Sequence, residues 1–233
     1  MKAKWMKWGL LAVMSTTVLA ACQSQPKNEA DTVSGASIKT PREIIKSPVK
    51  KTDFLLGTAV ALSVYHPNTE EVITSALEMI KDLEKRITVN ASGSEVDDVN
   101  LAAGEKPVKV SADVYELIKL GLKYSEEFDG AFDITVGPLT ALWHIGFDDA
   151  KKPTQEEIDA VLPLVNYKDV ELNDAEQTVF LKKKGMQLDL GGIAKGYIAD
   201  KVWEYFAKEG ITTAVIDLGG NIVVMGGSPA RDG

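Results

Sequence analysis

The sequence predicts a single α+β domain built around a mixed sheet, and three patterns point to this class. Apolar residues recur at helical spacing in three segments, short β-branched runs lie between them, and glycine-rich turns connect runs to helices. The domain is expected to span residues 53–233, which is long enough to enclose one hydrophobic core. The sequence contains no internal repeat.

The first half of the domain is predicted to contain one strand and two helices. Residues 54–65 are apolar, rich in β-branched side chains and partly alternating, which indicates a strand. An amphipathic helix is expected after Asn68, with apolar residues at helical spacing from Ile73 onward. Residues 90–107 are polar and contain glycine, so they are predicted to form a long surface loop. A second amphipathic helix is expected to begin after Ser111.

The second half is predicted to combine several short strands with two helices. Thr154 and Glu157 have the spacing of a capping box, which predicts a short helix through Leu162. A longer amphipathic helix is expected to follow the Gly191-Gly192 turn and to end at Gly210. The predicted strands are residues 169–172, 178–181, 186–190, 215–218 and 221–225.

The N-terminus has the pattern of an export signal. Three lysines lie within the first seven residues, and the apolar run of residues 9–19 is too short to span a bilayer comfortably. Small residues then lead to Cys22 in a Leu-Ala-Ala-Cys sequence that resembles the bacterial lipoprotein pattern. We therefore expect residues 1–21 to be a signal peptide and Cys22 to carry a lipid that anchors the protein at the extracytoplasmic face of the cell membrane. The alternative is an ordinary signal peptide followed by a chance cysteine.

Composition limits the remaining function classes. Residues 22–52 are mostly polar and contain three prolines, so they are predicted to form a flexible tether. The formal net charge of −8 argues against a nucleic-acid partner, which would require a basic face. Because the single cysteine is assigned to the lipid, no thiol remains for a disulfide, a nucleophile or a cysteine-based metal site.

The segment Asp189-Leu-Gly-Gly-Ile-Ala-Lys-Gly196 has the features of a phosphate site. It lies between an apolar run and a predicted helix, whose start offers N–H donors and the positive end of a dipole. Lys195 adds a positive charge one turn into that helix. We expect these amides and the ammonium group to bind phosphate together. The glycine spacing matches neither the dinucleotide fingerprint nor the Walker loop, and a purely structural turn is the alternative.

A second glycine-containing segment, Gly130-Ala-Phe-Asp-Ile-Thr-Val-Gly-Pro138, places two polar side chains together. Asp133 and Thr135 are two residues apart, so they lie on the same side of an extended chain. Asp129 and Asp133 could suggest calcium, but the ligand spacing of an EF-hand is absent. By itself this segment is equally compatible with a structural turn.

Taken together, these segments resemble the FAD:protein FMN transferases, also called ApbE-type flavinyltransferases. Several stretches agree with this family in order and spacing from about residue 53 to the last residue: Leu56-Gly57-Thr58, Ser94-Glu95 with Asn100, Asp129 to Pro138, Leu139 to Trp143 with Gly146-Phe147, Asp189 to Gly196 with Tyr197 and Asp200, and Leu218 to Asn221. Each stretch alone is weak, but six in order are highly specific. Exported, lipid-anchored forms also occur in this family.

The resemblance implies a substrate, a metal and a set of site residues. Such enzymes use Mg²⁺ to cleave FAD, attach its FMN half to a Thr or Ser hydroxyl of an acceptor flavoprotein and release AMP. The implied FAD contacts are Leu56, Asn90, Ala131, Phe132, Asp133, Asp189 and Lys195. Asp133 and Lys195 are also the expected catalytic residues, and the backbone carbonyl of Gly192 is the expected metal ligand. Asn90 stands where the family often has an aromatic residue.

The end of the sequence has the composition of a hairpin turn without a returning strand, which predicts that the C-terminal part of the domain is missing; a disordered glycine-rich tail is the alternative. The resemblance places the other metal ligands in that part, so the chain as it stands is expected to be weakly active or inactive. Two further functions stay open: a lipid-anchored FAD-binding protein without turnover, and a generic solute-binding lipoprotein.

Overall fold

Two antiparallel sheets and six α-helices make up residues 39–229, the part of the chain that the computed structural model describes. The helices are α1 Glu70–Ile87, α2 Glu95–Leu101, α3 Ala112–Glu127, α4 Gly137–Trp143, α5 Gln155–Val161 and α6 Gly191–Lys208. The strands are β1 Val49–Leu55, β2 Thr58–Val64, β3 Val108–Lys109, β4 Val170–Asn173, β5 Thr178–Leu181, β6 Ala214–Leu218 and β7 Asn221–Met225. The α+β class is confirmed, with the strands divided between two sheets instead of one mixed sheet.

The larger sheet has the strand order β1-β2-β6-β7, and every neighbouring pair is antiparallel. Strand β2 lies inside this sheet, and its alternate residues Val60, Leu62 and Val64 are fully buried. Burial on one face follows from the period of two in a strand. The apolar stripes of α1 and α6 pack with these side chains in one core. This sheet and its two helices position the candidate site.

The β1–β2 hairpin corrects the prediction of one strand over residues 54–65. The chain reverses at Leu56 and Gly57, whose φ angles are 56° and 67°. A two-residue turn with both φ angles positive suits the twist of a hairpin, but it strains a leucine. The backbone N–H of Leu56 donates to the Glu84 carboxylate of α1 at 2.8 Å, which fixes the turn. The unusual residue at the first turn position explains why the sequence pattern concealed it.

The ordered domain begins earlier than the predicted boundary at residue 53. Strand β1 starts at Val49, and its polar residues hid it because it is an edge strand with one exposed face. Further back, the N–H groups of Lys39 and Arg42 donate to the carbonyls of Lys208 and Gly210 at the end of α6. Residues 39–52 therefore belong to the folded domain. The predicted signal peptide, Cys22 and the rest of the predicted tether lie outside the described residues.

Two other predictions differ from the structure. Residues 90–107 contain helix α2, which Ser94 caps by accepting a hydrogen bond from the Asp97 N–H at 2.9 Å. Residues 186–190 are extended but form no strand, since their only ladder contact is an isolated parallel bridge between Val136 and Gln187. The capping box of Thr154 and the strands at 178–181 and 221–225 are as predicted. Within residues 39–229, no helix is both long and apolar enough to cross a membrane.

A cluster of charges joins helices α1 and α3 beside the core. The Arg86 guanidinium at the end of α1 donates to both carboxylate oxygens of Asp113, with a distance of 2.6 Å from Nη2 to Oδ2. Arg86 also lies 2.9 Å from the Asp82 carboxylate. The hydrogen bond from Arg86 lowers the pKa of Asp113 from 3.8 to about 2.

Replacing Asp113 with asparagine is expected to remove a contribution to the free energy of unfolding that is present at neutral pH and lost in acid. A carboxyl with a depressed pKa in the folded state contributes stability above its unfolded pKa and loses it as the pH falls from about 4 towards 2. Because the Asp113 side chain is 35% exposed, solvent screening reduces the full linkage value, and we expect a loss of about 1–2 kcal/mol at pH 7. Urea unfolding at pH 7 and pH 2 measures this difference, which should nearly vanish at the lower pH. The matched control is Asp98→Asn on α2; an equal effect of both variants would contradict the prediction.

Candidate functional site

The two glycine-containing segments lie side by side. The backbone N–H of Asp189 donates to the Ile134 carbonyl at 2.8 Å. Val136 and Gln187, next to these two residues, form an isolated backbone bridge. Gly137 lies so close to Gln187 that an added Cβ atom would be 2.7 Å from its carbonyl oxygen. Glycine at this position therefore permits the close approach that joins the segments.

Asp189 connects the two segments at the start of α6. Its Oδ1 accepts a hydrogen bond from the Gly191 N–H at 2.9 Å, and its Oδ2 accepts one from the Thr140 hydroxyl at 2.8 Å. The N–H groups of Ile193 and Ala194 donate to the carbonyl of Leu190. These three N–H groups already donate to acceptors within the protein. The prediction that they are free to bind a ligand is therefore wrong. The helix dipole and Lys195 remain as the positive features of this corner.

A small cavity of about 210 Å³ lies at this corner and brings together four of the predicted contacts. Leu56 of the hairpin, Asn90 after α1, and Asp189 and Lys195 at the start of α6 all line it. Among the described residues, Lys195 is the only basic side chain in its wall. Glu84 also lines the cavity, and no sequence pattern indicates it, since an acid on a helix has no distinctive signal.

A larger cleft of about 950 Å³ adjoins the small cavity. Val89, Asn90 and Asp189 line both spaces, so the two adjoin at these residues. Helix α2 forms one wall of the cleft, and α4 with the following residues 144–147 forms the other. Gly191 and Gly192 are exposed, so the corner is open to a ligand.

The predicted triplet of Ala131, Phe132 and Asp133 has a different placement, because none of the three lines either cavity. Phe132 packs against the start of α6, where an added Cβ on Gly192 would be 3.1 Å from its ring. Asp133 accepts hydrogen bonds from the N–H and hydroxyl of Thr135, at 2.8 and 2.7 Å, and from the N–H of Tyr167, at 2.9 Å. The geometry gives Asp133 the role of holding the turn together.

The predicted metal ligand is the backbone carbonyl of Gly192, in the first turn of α6. Mg²⁺ requires near-octahedral oxygen coordination. Within residues 39–229, no group of three or more His, Cys, Asp or Glu side chains is close enough to hold a metal ion. Asp189, three residues before Gly192, already accepts a hydrogen bond on each oxygen. Gly192 alone therefore cannot account for the metal.

Asn100 fixes the segment that leads to Asp189. Its side-chain oxygen accepts a hydrogen bond from the Leu188 N–H at 2.7 Å, and its side-chain nitrogen donates to the Leu188 carbonyl at 3.1 Å. Leu188 itself is fully buried. The side chain of Asn100 thus satisfies both backbone groups of Leu188, as a neighbouring strand would.

Replacing Asn100 with alanine is expected to lower the free energy of unfolding by about 2–4 kcal/mol, because two backbone groups of the buried Leu188 lose their partners. Urea unfolding followed by circular dichroism measures the change. The matched control is Asp98→Ala on the exposed side of the same helix, for which we expect a change within about 0.5 kcal/mol. Equal stability of wild type and Asn100→Ala would refute the bridging role.

Comparison with known proteins identifies the family. Residues 56–233 match the model of the ApbE family. The chain is 41% identical to an FAD:protein FMN transferase of Klebsiella pneumoniae (strain 342), over 74% of this chain and 54% of the relative. It is 33% identical to the FAD:protein FMN transferase of Treponema pallidum (strain Nichols), over 76% of this chain and 51% of the relative.

Solved structures agree with this result. The ApbE protein of Thermotoga maritima MSB8 superposes with a TM-score of 0.73 at 31% identity, covering 79% of this chain and 60% of that chain. The flavin transferase ApbE of Vibrio cholerae has the same fold, with a TM-score of 0.70 at 24% identity, covering 77% and 59%. The chain spans about half the length of the curated relatives it matches. With a family match over most of its length and the fold of solved members, this chain belongs to the ApbE family.

Proposed function

We propose that this chain binds FAD and takes part in the transfer of its FMN half to a Thr or Ser hydroxyl of an acceptor flavoprotein, with release of AMP. The observation that carries the proposal is the junction at Asp189, where a small cavity with one basic side chain adjoins a larger cleft. The names of the relatives support the same reaction. Two adjoining spaces suit the FMN and AMP halves of FAD. The acceptor hydroxyl must reach the phosphorus of the FMN half, which lies between them.

In this proposal each residue in or near the small cavity has one task. Lys195 and the positive end of α6 attract the diphosphate and stabilise the charge that develops during transfer. Leu56 supplies an apolar contact, and Asn90 offers an amide at the boundary between the two spaces. Phe132 supports the start of α6 from behind, and Asp133 acts through the turn that it holds. Asp189 orients the Thr140 hydroxyl beside the cleft.

The test is to incubate the purified chain with FAD, MgCl₂ and the apo form of a flavoprotein subunit isolated without its covalent FMN. We expect the mass of the acceptor to increase by one FMN group and an equimolar amount of AMP to appear. Magnesium dependence, which the resemblance implies, is part of the proposal, so EDTA should abolish both signals. An unmodified acceptor together with intact FAD would contradict the proposed reaction.

A second function is an FAD-binding protein without turnover. A cavity with one basic side chain would attract the diphosphate of FAD whether or not transfer follows, which supports binding alone. In that case FAD binds to the protein with a measurable affinity and is recovered intact after hours with MgCl₂. Release of AMP would exclude this alternative.

We also propose that Cys22 carries a lipid that anchors the protein at the extracytoplasmic face of the membrane. The Leu-Ala-Ala-Cys sequence supports it, and acyl chains contribute roughly 0.8 kcal/mol per buried methylene, so several chains anchor stably. Growth with labelled palmitate should label the wild type but not a Cys22→Ser variant. An unlabelled wild-type protein would refute the anchor.

A further inference from the structure

Thr140 places an exposed hydroxyl at the junction of the two cavities. It lies in the first turn of α4 and lines the larger cleft. Its Oγ1 donates to the carboxylate Oδ2 of Asp189 at 2.8 Å and is also 3.1 Å from the Gly137 carbonyl. Asp189 lines both cavities, so the Thr140 hydroxyl lies next to the space that holds Lys195.

A hydroxyl that is hydrogen-bonded to a carboxylate has the arrangement of an activated nucleophile. A threonine oxygen is weakly nucleophilic by itself and requires an adjacent base that accepts its proton. The Asp189 carboxylate is such a base, and the Gly191 N–H orients it through its other oxygen. The Thr140 hydroxyl and the Gly191 N–H thus each lie within hydrogen-bond distance of the Asp189 carboxylate.

We propose that Thr140 is itself a site of flavinylation, which the chain carries out on its own hydroxyl when no acceptor protein is present. This inference rests on the proposed function, because it uses the same FAD and the same cavity. The Thr140 Oγ1 forms a bond to the phosphorus on the FMN side, and the anhydride bond to the AMP phosphate breaks. AMP leaves with the bridging oxygen, and the hydroxyl proton passes to Asp189. The product is a phosphodiester between FMN and Thr140.

The other aliphatic hydroxyls of the tryptic peptide that contains Thr140 cannot substitute for it. Trypsin is expected to release the peptide of residues 124–151, whose other such hydroxyls belong to Ser125 and Thr135. Both are fully buried. Ser125 Oγ donates to the Gly121 carbonyl, and Thr135 Oγ1 donates to Asp133. Label on this peptide should therefore be confined to Thr140.

The experiment is to incubate the full 233-residue chain with FAD and MgCl₂ without acceptor and to analyse the tryptic digest by mass spectrometry. We expect the peptide of residues 124–151 to gain one FMN group at Thr140, with AMP released in equal amount. Thr140→Val should lose the label, whereas Thr140→Ser, which keeps a hydroxyl, should retain it. The matched control is Thr52→Val on the exposed β1 strand, which should be labelled like the wild type.

Three results would overturn the inference, and they separate it from the proposed function. If the acceptor protein is modified and AMP appears while the Thr140 peptide stays unlabelled, self-modification is refuted and the transferase function stands. Label on a different residue, or label that persists in Thr140→Val, also refutes the assignment to Thr140. If FAD remains intact with and without acceptor, the proposed function itself fails and this inference fails with it.

Discussion

Replacing Lys195 with alanine is expected to weaken FAD binding by about 10- to 100-fold. A hydrogen bond to a charged group contributes roughly 1.5–3 kcal/mol, and each 1.4 kcal/mol corresponds to a tenfold change in the dissociation constant. Within the described residues, Lys195 is the only basic side chain in the wall of the small cavity, so no neighbour can take over its charge. Titration of FAD with the protein, followed by flavin fluorescence, measures the dissociation constant.

The matched control is Lys208→Ala, in the last turn of the same helix. Lys208 is exposed and lies 13 residues from Lys195, or about 20 Å along the helix axis, so its removal should leave the FAD affinity unchanged. The two variants have the same net charge, which removes the general electrostatic attraction of the protein as an explanation. Equal affinities of Lys195→Ala and wild type would mean that the diphosphate does not bind at the start of α6.

Replacing Gly137 with alanine is expected to destabilise the protein by about 1–3 kcal/mol and to separate the two segments of the site. The new Cβ atom would be 2.7 Å from both the carbonyl oxygen and the Cβ of Gln187. These are closer than any normal contact, and overpacking of this kind typically costs about 1–3 kcal/mol. Because the extended chain at Gln187 leads directly to Asp189, the shift should also disturb the Thr140–Asp189 contact. Urea unfolding gives the stability, and FAD titration gives the effect on the site.

The matched control is Gly196→Ala in α6, where an added Cβ would have no heavy atom within 4 Å. Alanine there should raise the free energy of unfolding by about 0.5–1 kcal/mol, because glycine is the poorer residue in a helix interior. Alanine is thus expected to lower the free energy of unfolding at Gly137 and to raise it at Gly196. An unchanged or increased free energy of unfolding for Gly137→Ala would show that the segments around Gly137 and Gln187 have room to move apart.

Periodicity and capping signals made much of the fold predictable. Helices α1, α3 and α6 were predictable because each carries an apolar stripe that must face the core, and α5 because Thr154 and Glu157 form a capping box. Helix α2 was missed because it is short and acidic. The spacing of Ser94 and Asp97 was the available signal, since Ser94 does cap this helix.

The candidate site was only partly predictable. The sequence pointed to both glycine-containing segments, and the structure places them together. It could not show that Asn100 supports Leu188, because these residues are 88 positions apart and the contact depends on the tertiary fold. For the same reason, the expected amides at the start of α6 were assumed to be free, whereas Asp189 and the Leu190 carbonyl use three of them. Residues related only in three dimensions leave no periodic signal.

The strained turn at Leu56 has a consequence for ligand affinity. The Glu84 carboxylate anchors the backbone of this residue to a helix that is itself part of the core. The wall that Leu56 presents is consequently set when the chain folds, so a ligand that touches it does not have to order a flexible loop. Binding partners that avoid this ordering entropy retain more of their contact energy as affinity. The folding free energy of the domain therefore offsets the strain at Leu56 before any ligand binds.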